Sequence, residues 1–311
     1  MSRSIALLFP GQGAQFVGMG RDLAESLPEC RQIFDRASAA LGWDLAQVCF
    51  EGPDTELMRS DRAQPAIFAH SLACFEALRR RLPGASWAAA AGLSSGEWTA
   101  LTASGALDLE TTLRVLRVRG QAMQEACERR PGTMLSVIGL PDDKMEELCR
   151  KTGAEAANYN SPDQTVLSGS LEAIAAAETL APELGARKAI RLAVAGAFHS
   201  SRMEPAAARL AEELQTVEFQ EPAFPVYSNV TGSPHGGPAS LCSAMVAQVS
   251  SPVQWVRIIR AMREHGITDF IECGPGRVLS GLVKRIDKTA GLHTIQDAAG
   301  LETVVSSLQA G

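Results

Sequence analysis

The segment Gly92-Leu93-Ser94-Ser95-Gly96 places a hydroxyl between small residues in the pattern G-x-S-x-G. That pattern suits a sharp strand-to-helix turn that exposes the serine oxygen as a nucleophile. It also reads as a helix start, because Ser94-x-x-Glu97 is a capping box whose hydroxyl and carboxylate would satisfy N-terminal amides. The pentapeptide alone does not separate the two readings. A serine hydroxyl needs a general base within hydrogen-bond reach, and histidine has the suitable pKa. Of the five histidines, His70 in "AIFAHSLACFEAL", His235 in "GSPHGG", His265 before Gly266 and His293 near the C-terminus read as helix-face, loop or end-cap residues. His199, in "VAGAFHSSRMEP", falls where a strand ends, which is where α/β sheets carry their sites. An acyl-transfer site also needs donors for a tetrahedral oxyanion. The Ser95 amide would supply one, and a second would come from the glycine loop "FPGQGAQ" at residues 9–15. That loop is no dinucleotide fingerprint, since Phe16 stands where G-x-G-x-x-G needs its third glycine.

These residues need a scaffold. "SIALLFPGQG" reads as a short buried strand stopping at a tight loop, and "WAAAAGL" as another running into Ser94. Long helical patterns such as "AIFAHSLACFEALRRRL" and "LETTLRVLRVRGQAMQEACE" lie between and after them. Short strands alternating with long helices predict an α/β core with a mostly parallel sheet. Between about 132 and 197 the order becomes strand "TMLSVIGL", helix "DDKMEELCRKTG", strands at "AEAANYN" and "QTVLSGS", helix "LEAIAAAETLAPELG" and strand "ARKAIRLAVAG". This βαββαβ order predicts a ferredoxin-like small domain over 131–197, inserted into a large domain made of 1–130 and 198–311. The helix "EPAAARLAEELQTV", strand "FPVYSN", helix "SPVQWVRIIRAMREHG" and strand "ITDFIECG" complete the large domain.

Composition narrows the partners. With 46% hydrophobic residues in 311, the chain can bury a sizeable core. A net charge of −6 argues against nucleic acid. The seven cysteines are widely spaced, with no C-x-x-C or neighbouring histidine ligand pattern, which fits reduced thiols and no metal site. No apolar run approaches the roughly 20 residues of a membrane span, and "MSRSIALLFPGQG" is too short for a signal peptide, so a cytoplasmic protein is expected.

Seven colinear segments, "FPGQGAQ", "GLSSGEWTAL", "VRGQAMQEA", "NSPDQTVLSG", "GAFHSSRM", "SPVQW" and "ECGPGRVLSGL", together resemble malonyl-CoA:acyl carrier protein transacylases over nearly the whole chain. The resemblance implies an α/β-hydrolase-like large domain with a ferredoxin-like insertion. It makes Ser94 the acyl-accepting nucleophile and His199 its base, with Arg119 gripping the malonyl carboxylate, which a guanidinium binds bidentately. It implies that Gln12 and Ser95 give the oxyanion-hole amides, that the backbone carbonyl of Gln248 orients the histidine, and that Leu93, Phe198 and Asn160 line the pocket. Without the resemblance, Arg119 reads as a solvated helix-face arginine beside Arg114 and Arg117, Phe198 as core, and Asn160 and Asn229 as turn formers. The implied substrates are malonyl-CoA and acyl carrier protein, with no cofactor, and the chain is expected to be a monomer. Leu93 stands where the family commonly has histidine, Ser95 where it has leucine or methionine, and Trp98 where it has tyrosine, which opens the question of acyl selectivity. Carrier docking would need a basic patch, with Arg79–Arg81 and Lys284, Arg285 and Lys288 as candidates. The resemblance implies extender-unit supply for fatty-acid synthesis, and the rival readings are a standalone acyltransferase or acyl hydrolase of a polyketide pathway on the same fold and a catalytically dead carrier-binding module.

Overall fold

The computed structural model describes residues 3–310. Its strands are β1 (Ile5–Phe9), β2 (Ala89–Gly92), β3 (Gly132–Ile138), β4 (Glu155–Ser161), β5 (Gln164–Ser170), β6 (Lys188–Arg191), β7 (Val226–Tyr227), β8 (Asp269–Cys273) and β9 (Gly291–Ile295). Five of them form one sheet in the order β7-β2-β1-β8-β9, with every neighbouring pair parallel. Such a sheet is covered by helices on both faces, so its strands read as apolar runs rather than alternations. β1 shows how period two serves both faces: Leu7 and Phe9 enter one core with Phe34, Phe68 and Trp98, while Ala6 and Leu8 enter the other with Trp255, Ile258 and Phe270. Helix Ser60–Arg81 packs so deeply that its residues from Ala63 to Phe75 are all buried.

The other four strands form an antiparallel sheet in the order β4-β5-β3-β6. With helices Asp142–Thr152 and Leu171–Glu183 it makes the expected ferredoxin-like unit, with its own core of Leu135, Val137, Leu148, Leu167 and Ile174. β6 is shorter than the sequence predicts, because only Lys188–Arg191 pairs with β3 and the remainder, through Ala195, lies open beside the cleft. β4 is stitched to the other sheet's connections by a short parallel bridge, with Tyr159 N–H donating to the Val253 carbonyl and Val253 N–H to that of Ala157. The small sheet is thereby held against the segment that carries Gln248 and Ser251.

Both expected site loops leave the same end of the parallel sheet. Phe9 of β1 pairs in register with Gly92 of β2, so "PGQG" and "LSSG" emerge side by side. Their approach is so close that a Cβ on Gly11 would lie 2.2 Å from the Leu93 carbonyl oxygen. Among the described residues, no helix is long and apolar enough to cross a membrane.

Candidate active site

Ser94 occupies the turn between β2 and helix Gly96–Ala103 with φ of 55°, a left-handed conformation that non-glycine residues rarely adopt. The glycines around it make the turn possible: a Cβ on Gly92 would sit 1.9 Å from the Gly96 carbonyl carbon, and one on Gly96 would sit 2.1 Å from the Phe9 oxygen. The strain is held in place by Asn229, whose Oδ1 accepts from Ser94 N–H at 2.7 Å while its Nδ2 donates to the Gly92 carbonyl at 2.7 Å. Asn229 is therefore a clamp on the turn, beyond any role in forming its own.

The capping-box expectation fails here. Ser94 Oγ is engaged by His199 Nε2 and Arg119 Nη2 rather than by a helix amide, and the N-cap position, Ser95, makes no side-chain cap. Glu97 does not reach back to Ser94 N–H; it is fully buried and accepts from Asn229 N–H, His235 Nε2 and Gln248 Nε2 instead. The carboxylate is spent on long-range partners that sequence spacing does not reveal.

His199, like Ser94, has a positive φ, 56°. Its Nε2 lies 2.8 Å from Ser94 Oγ, and its Nδ1 faces the carbonyls of Gln248 at 3.0 Å and Ser251 at 3.2 Å. Carbonyls only accept, so Nδ1 carries the proton and Nε2 presents its lone pair to the serine. Burial, followed by the Arg119 charge, holds the imidazole down at about 4, against the opposing pull of the two carbonyls. Near neutral pH it is thus a neutral imidazole whose Nε2 is free to act as a base. Ser251 had no sequence signal.

Arg119 lies on helix Leu109–Arg129, 1% exposed, and so is no solvated helix-face residue. Its Nη2 donates to Ser94 Oγ at 3.2 Å and to Gln248 Oε1 at 3.0 Å, and its Nη1 donates to Gln64 Oε1 at 2.7 Å. Among the described residues no carboxylate touches it, and its Nε has no partner. Burial draws its pKa down to about 10, partly offset by the charge of Glu97, so it remains a guanidinium. A buried cation solvated only by amide and hydroxyl oxygens is an anion site waiting for its carboxylate. Sequence reasoning missed Gln64, which stands just ahead of the apolar run "AIFAHSLACFEAL" among other polar residues and gives no signal of its own.

A cavity of about 480 Å³ opens over these groups, lined among others by Gln12, Leu93, Ser94, Met123, Asn160, Phe198 and His199. Its walls combine the glycine loop, the small sheet and helix Val278–Ile286. Leu93 and Phe198 give apolar surface beside the serine, and Asn160 brings a buried Oδ1 with no partner among the described residues. Among the described residues the backbone N–H groups of Gln12 and Ser95 donate to no protein atom, so both are free to meet an oxyanion. The Gln12 side chain is engaged elsewhere, donating to Ser60 Oγ at 3.1 Å.

Of the remaining histidines, His265 is the helix C-cap and His235 the loop residue that the sequence suggests, while His70 is buried rather than on an open helix face. His70 is a core residue, 0% exposed, with Nε2 2.9 Å from the Gln296 carbonyl; His293 meets Asp269 at 3.1 Å, and His265 the Tyr227 hydroxyl at 2.5 Å. His235, read as a loop residue, lies in a loop and hydrogen-bonds through Nε2 to Glu97 Oε1 at 2.7 Å beneath the site. In the basic run Arg79–Arg81, Arg79 and Arg80 share Glu76 and Arg81 pairs with Glu302, so three arginines face two carboxylates. Among the described residues there is no cluster of three or more metal-ligating side chains.

A strained serine at the carboxyl end of a parallel sheet, a neutral histidine and an unpaired buried arginine define an acyltransferase centre, and residues 6–308 match the family model of the acyl transferase domain. The chain is 37% identical over 310 residues to malonyl CoA-acyl carrier protein transacylase of Bacillus subtilis, covering 98% of this chain and 97% of that one. It is 36% identical over 300 residues to the Escherichia coli protein of the same name, covering 95% and 97%. The crystal structure of the Clostridium perfringens transacylase superposes with a TM-score of 0.94 at 36% identity, covering 99% and 98%. A malonyl-transacylase in complex with a type II PKS acyl-carrier protein does so with 0.94 at 36% identity, covering 98% and 99%. The chain belongs to the malonyl CoA-acyl carrier protein transacylase family.

Proposed function

We propose that Ser94 accepts the acyl group, that His199 is its base, that Arg119 grips the malonyl carboxylate, and that the amides of Gln12 and Ser95 form the oxyanion hole, with the Gln248 carbonyl orienting the histidine. The enzyme is an acyltransferase that moves the malonyl group from malonyl-CoA to the phosphopantetheine thiol of acyl carrier protein, supplying extender units for fatty-acid synthesis. The observation that carries the assignment is that His199 Nε2 and Arg119 Nη2 converge on one atom, Ser94 Oγ, at 2.8 and 3.2 Å.

The reaction runs in two balanced halves. In the first, Oγ bonds to the thioester carbonyl carbon as its proton passes to His199 Nε2, and the carbonyl oxygen becomes an oxyanion facing the free amides. Collapse breaks the C–S bond, and the departing CoA sulfur takes the proton back from His199. In the second, the carrier thiol gives its proton to Nε2, its sulfur attacks the malonyl-serine ester, and Ser94 leaves reprotonated. General-base assistance of this kind contributes about 10²–10⁴-fold. No bound cofactor enters either half. We place the protein in the cytoplasm as a monomer, with residues 1–130 and 198–311 as the large α/β-hydrolase-like catalytic domain and 131–197 as the ferredoxin-like small domain.

The test is intact-protein mass spectrometry after mixing with malonyl-CoA, with and without holo-carrier. A malonyl adduct lost in Ser94→Ala and passed to the carrier supports the transacylase. Release to water alone supports a hydrolase, and absence of an adduct supports a carrier-binding module.

A further inference from the structure

Beneath the reacting groups lies a carboxylate that the chemistry leaves unused. Glu97 is 0% exposed, accepts from His235 Nε2 at 2.7 Å on Oε1 and from Gln248 Nε2 at 2.6 Å on Oε2, and is straddled by Asn229 N–H at 3.2 and 3.3 Å. A carboxylate only accepts, so the Gln248 atom facing it must be the NH₂ group. That same NH₂ also donates to the Ser94 carbonyl at 2.9 Å. With its nitrogen committed twice, the amide cannot flip, and its oxygen is left facing Arg119 Nη2 at 3.0 Å.

The other support of the arginine is weaker. Gln64 Oε1 accepts from Arg119 Nη1, but among the described residues Gln64 Nε2 is held only by Gln12 Oε1 at 3.4 Å and the Met123 sulfur at 3.5 Å, with no charge to fix it. Gln248 is therefore the rigid strut. An amide suits this position because its oxygen orients a guanidinium without neutralising it, whereas a carboxylate in that place would compete with the substrate's own. Glu97 stands one amide farther off, supplying charge through the strut while leaving the cation free.

We propose that Glu97, itself fixed by His235, is a positioning residue for acyl selectivity: it locks the Gln248 amide with its oxygen on Arg119 and so aims the guanidinium at the incoming malonyl carboxylate. The inference rests on the acyl-transfer reading above. Without the negative charge the amide is free to turn, presenting NH₂ to NH₂, and the guanidinium shifts from its station.

The test compares acylation of Ser94 by malonyl-CoA and by acetyl-CoA, which lacks the carboxylate. Glu97→Gln is expected to raise KM for malonyl-CoA by about 10- to 100-fold, the range for a hydrogen bond to a charged group, with acetyl transfer changed less than about threefold. The swap Glu97→Gln with Gln248→Glu re-forms the hydrogen bond between the two side chains but sets a carboxylate on Arg119 and removes the donor to the Ser94 carbonyl. Malonyl KM should stay high in the swap, because the carboxylate on Arg119 competes with the substrate's own. Equal losses for both acyl groups in Glu97→Gln, or recovery of malonyl KM in the swap, would overturn the proposal. If Glu97→Gln does not fold, Gln248→Met, which keeps the backbone carbonyl on His199, carries the same comparison: a malonyl-specific rise in KM supports the strut, and an equal change for both substrates refutes it. Wild-type protein that forms no malonyl adduct at all would instead sink the acyl-transfer reading.

Discussion

Ser94 and His199, 105 residues apart in sequence, both adopt left-handed backbone, with φ of 55° and 56°, and meet through a 2.8 Å hydrogen bond. Each such residue costs on the order of 1–3 kcal/mol unless its surroundings over-determine it. Here they do: Asn229 fastens one turn, and the carbonyls of Gln248 and Ser251 fasten the imidazole of the other. The dyad needs no third carboxylate, because two neutral acceptors fix the tautomer while offsetting only part of the lowering that burial imposes.

Arg119 should govern which acyl group is accepted. Arg119→Ala removes one partner of a desolvated charge pair, a loss of about 2–5 kcal/mol, from malonyl transfer, while acetyl transfer has no carboxylate to lose. Arg119→Lys keeps a charge but not the fork and should restore only a small part. The check is kcat/KM for both CoA thioesters; a matched decline would remove Arg119 from its assigned role.

Acid should act on folding before it acts on the base. His199 and His70 are both held at about 4 by burial, below the usual 6.5. Above pH 6.5 both are neutral in the folded and unfolded chain, so neither contributes a slope. Between 6.5 and 4 the unfolded chain binds protons that the folded chain refuses, and stability falls as pH falls, by about 1 kcal/mol per pH unit for each histidine. Urea titrations across that window should show the slope, and His70→Gln should lessen it. Over the same window kcat/KM for acylation should stay level in protein that remains folded, since His199 keeps its lone pair until pH approaches 4.

The glycines of the turn can be tested against one that does nothing of the kind. Gly92→Ala would force a methyl into the Gly96 carbonyl, with 2.0 Å to its oxygen, and should cost about 3 kcal/mol or more. Gly281, inside helix Val278–Ile286, has nothing within 4 Å of its would-be Cβ. Gly281→Ala should stabilise by roughly 0.5–1 kcal/mol. Thermal unfolding of the two variants gives opposite signs if the turn is as tight as described.

Much of this was legible in the sequence because it is carried by local signals. Apolar runs such as "IALLF" and the period of the long helices announce the layers, and βαββαβ order announces the small sheet. Ser94, His199 and Arg119 were found through colinear motifs. β9 was not, since its half-buried "GLHTI" at the sheet edge has no clean apolar run. Glu97, Gln64 and His235 were missed or misread for another reason. Their partners lie 55 to 151 residues away, and a polar side chain that answers a distant group leaves no periodicity behind it. The capping-box reading of Glu97 failed by trusting the nearest available partner.

The register of β1 against β2, with Phe9 opposite Gly92, has a wider consequence for how this chain can vary. The two free amides of Gln12 and Ser95 are spaced by a ladder of hydrogen bonds rather than by the shape of either loop. Adding or removing a single residue in β1 or β2 would slide one amide by about 3.3 Å, a full strand step, and turn every later side chain to the opposite face. Length changes are thus barred within these two strands, while the largely exposed stretch at 82–87, which joins helix Ser60–Arg81 to β2, can lengthen without moving either donor. The sheet works as a ruler whose graduations set the chemistry.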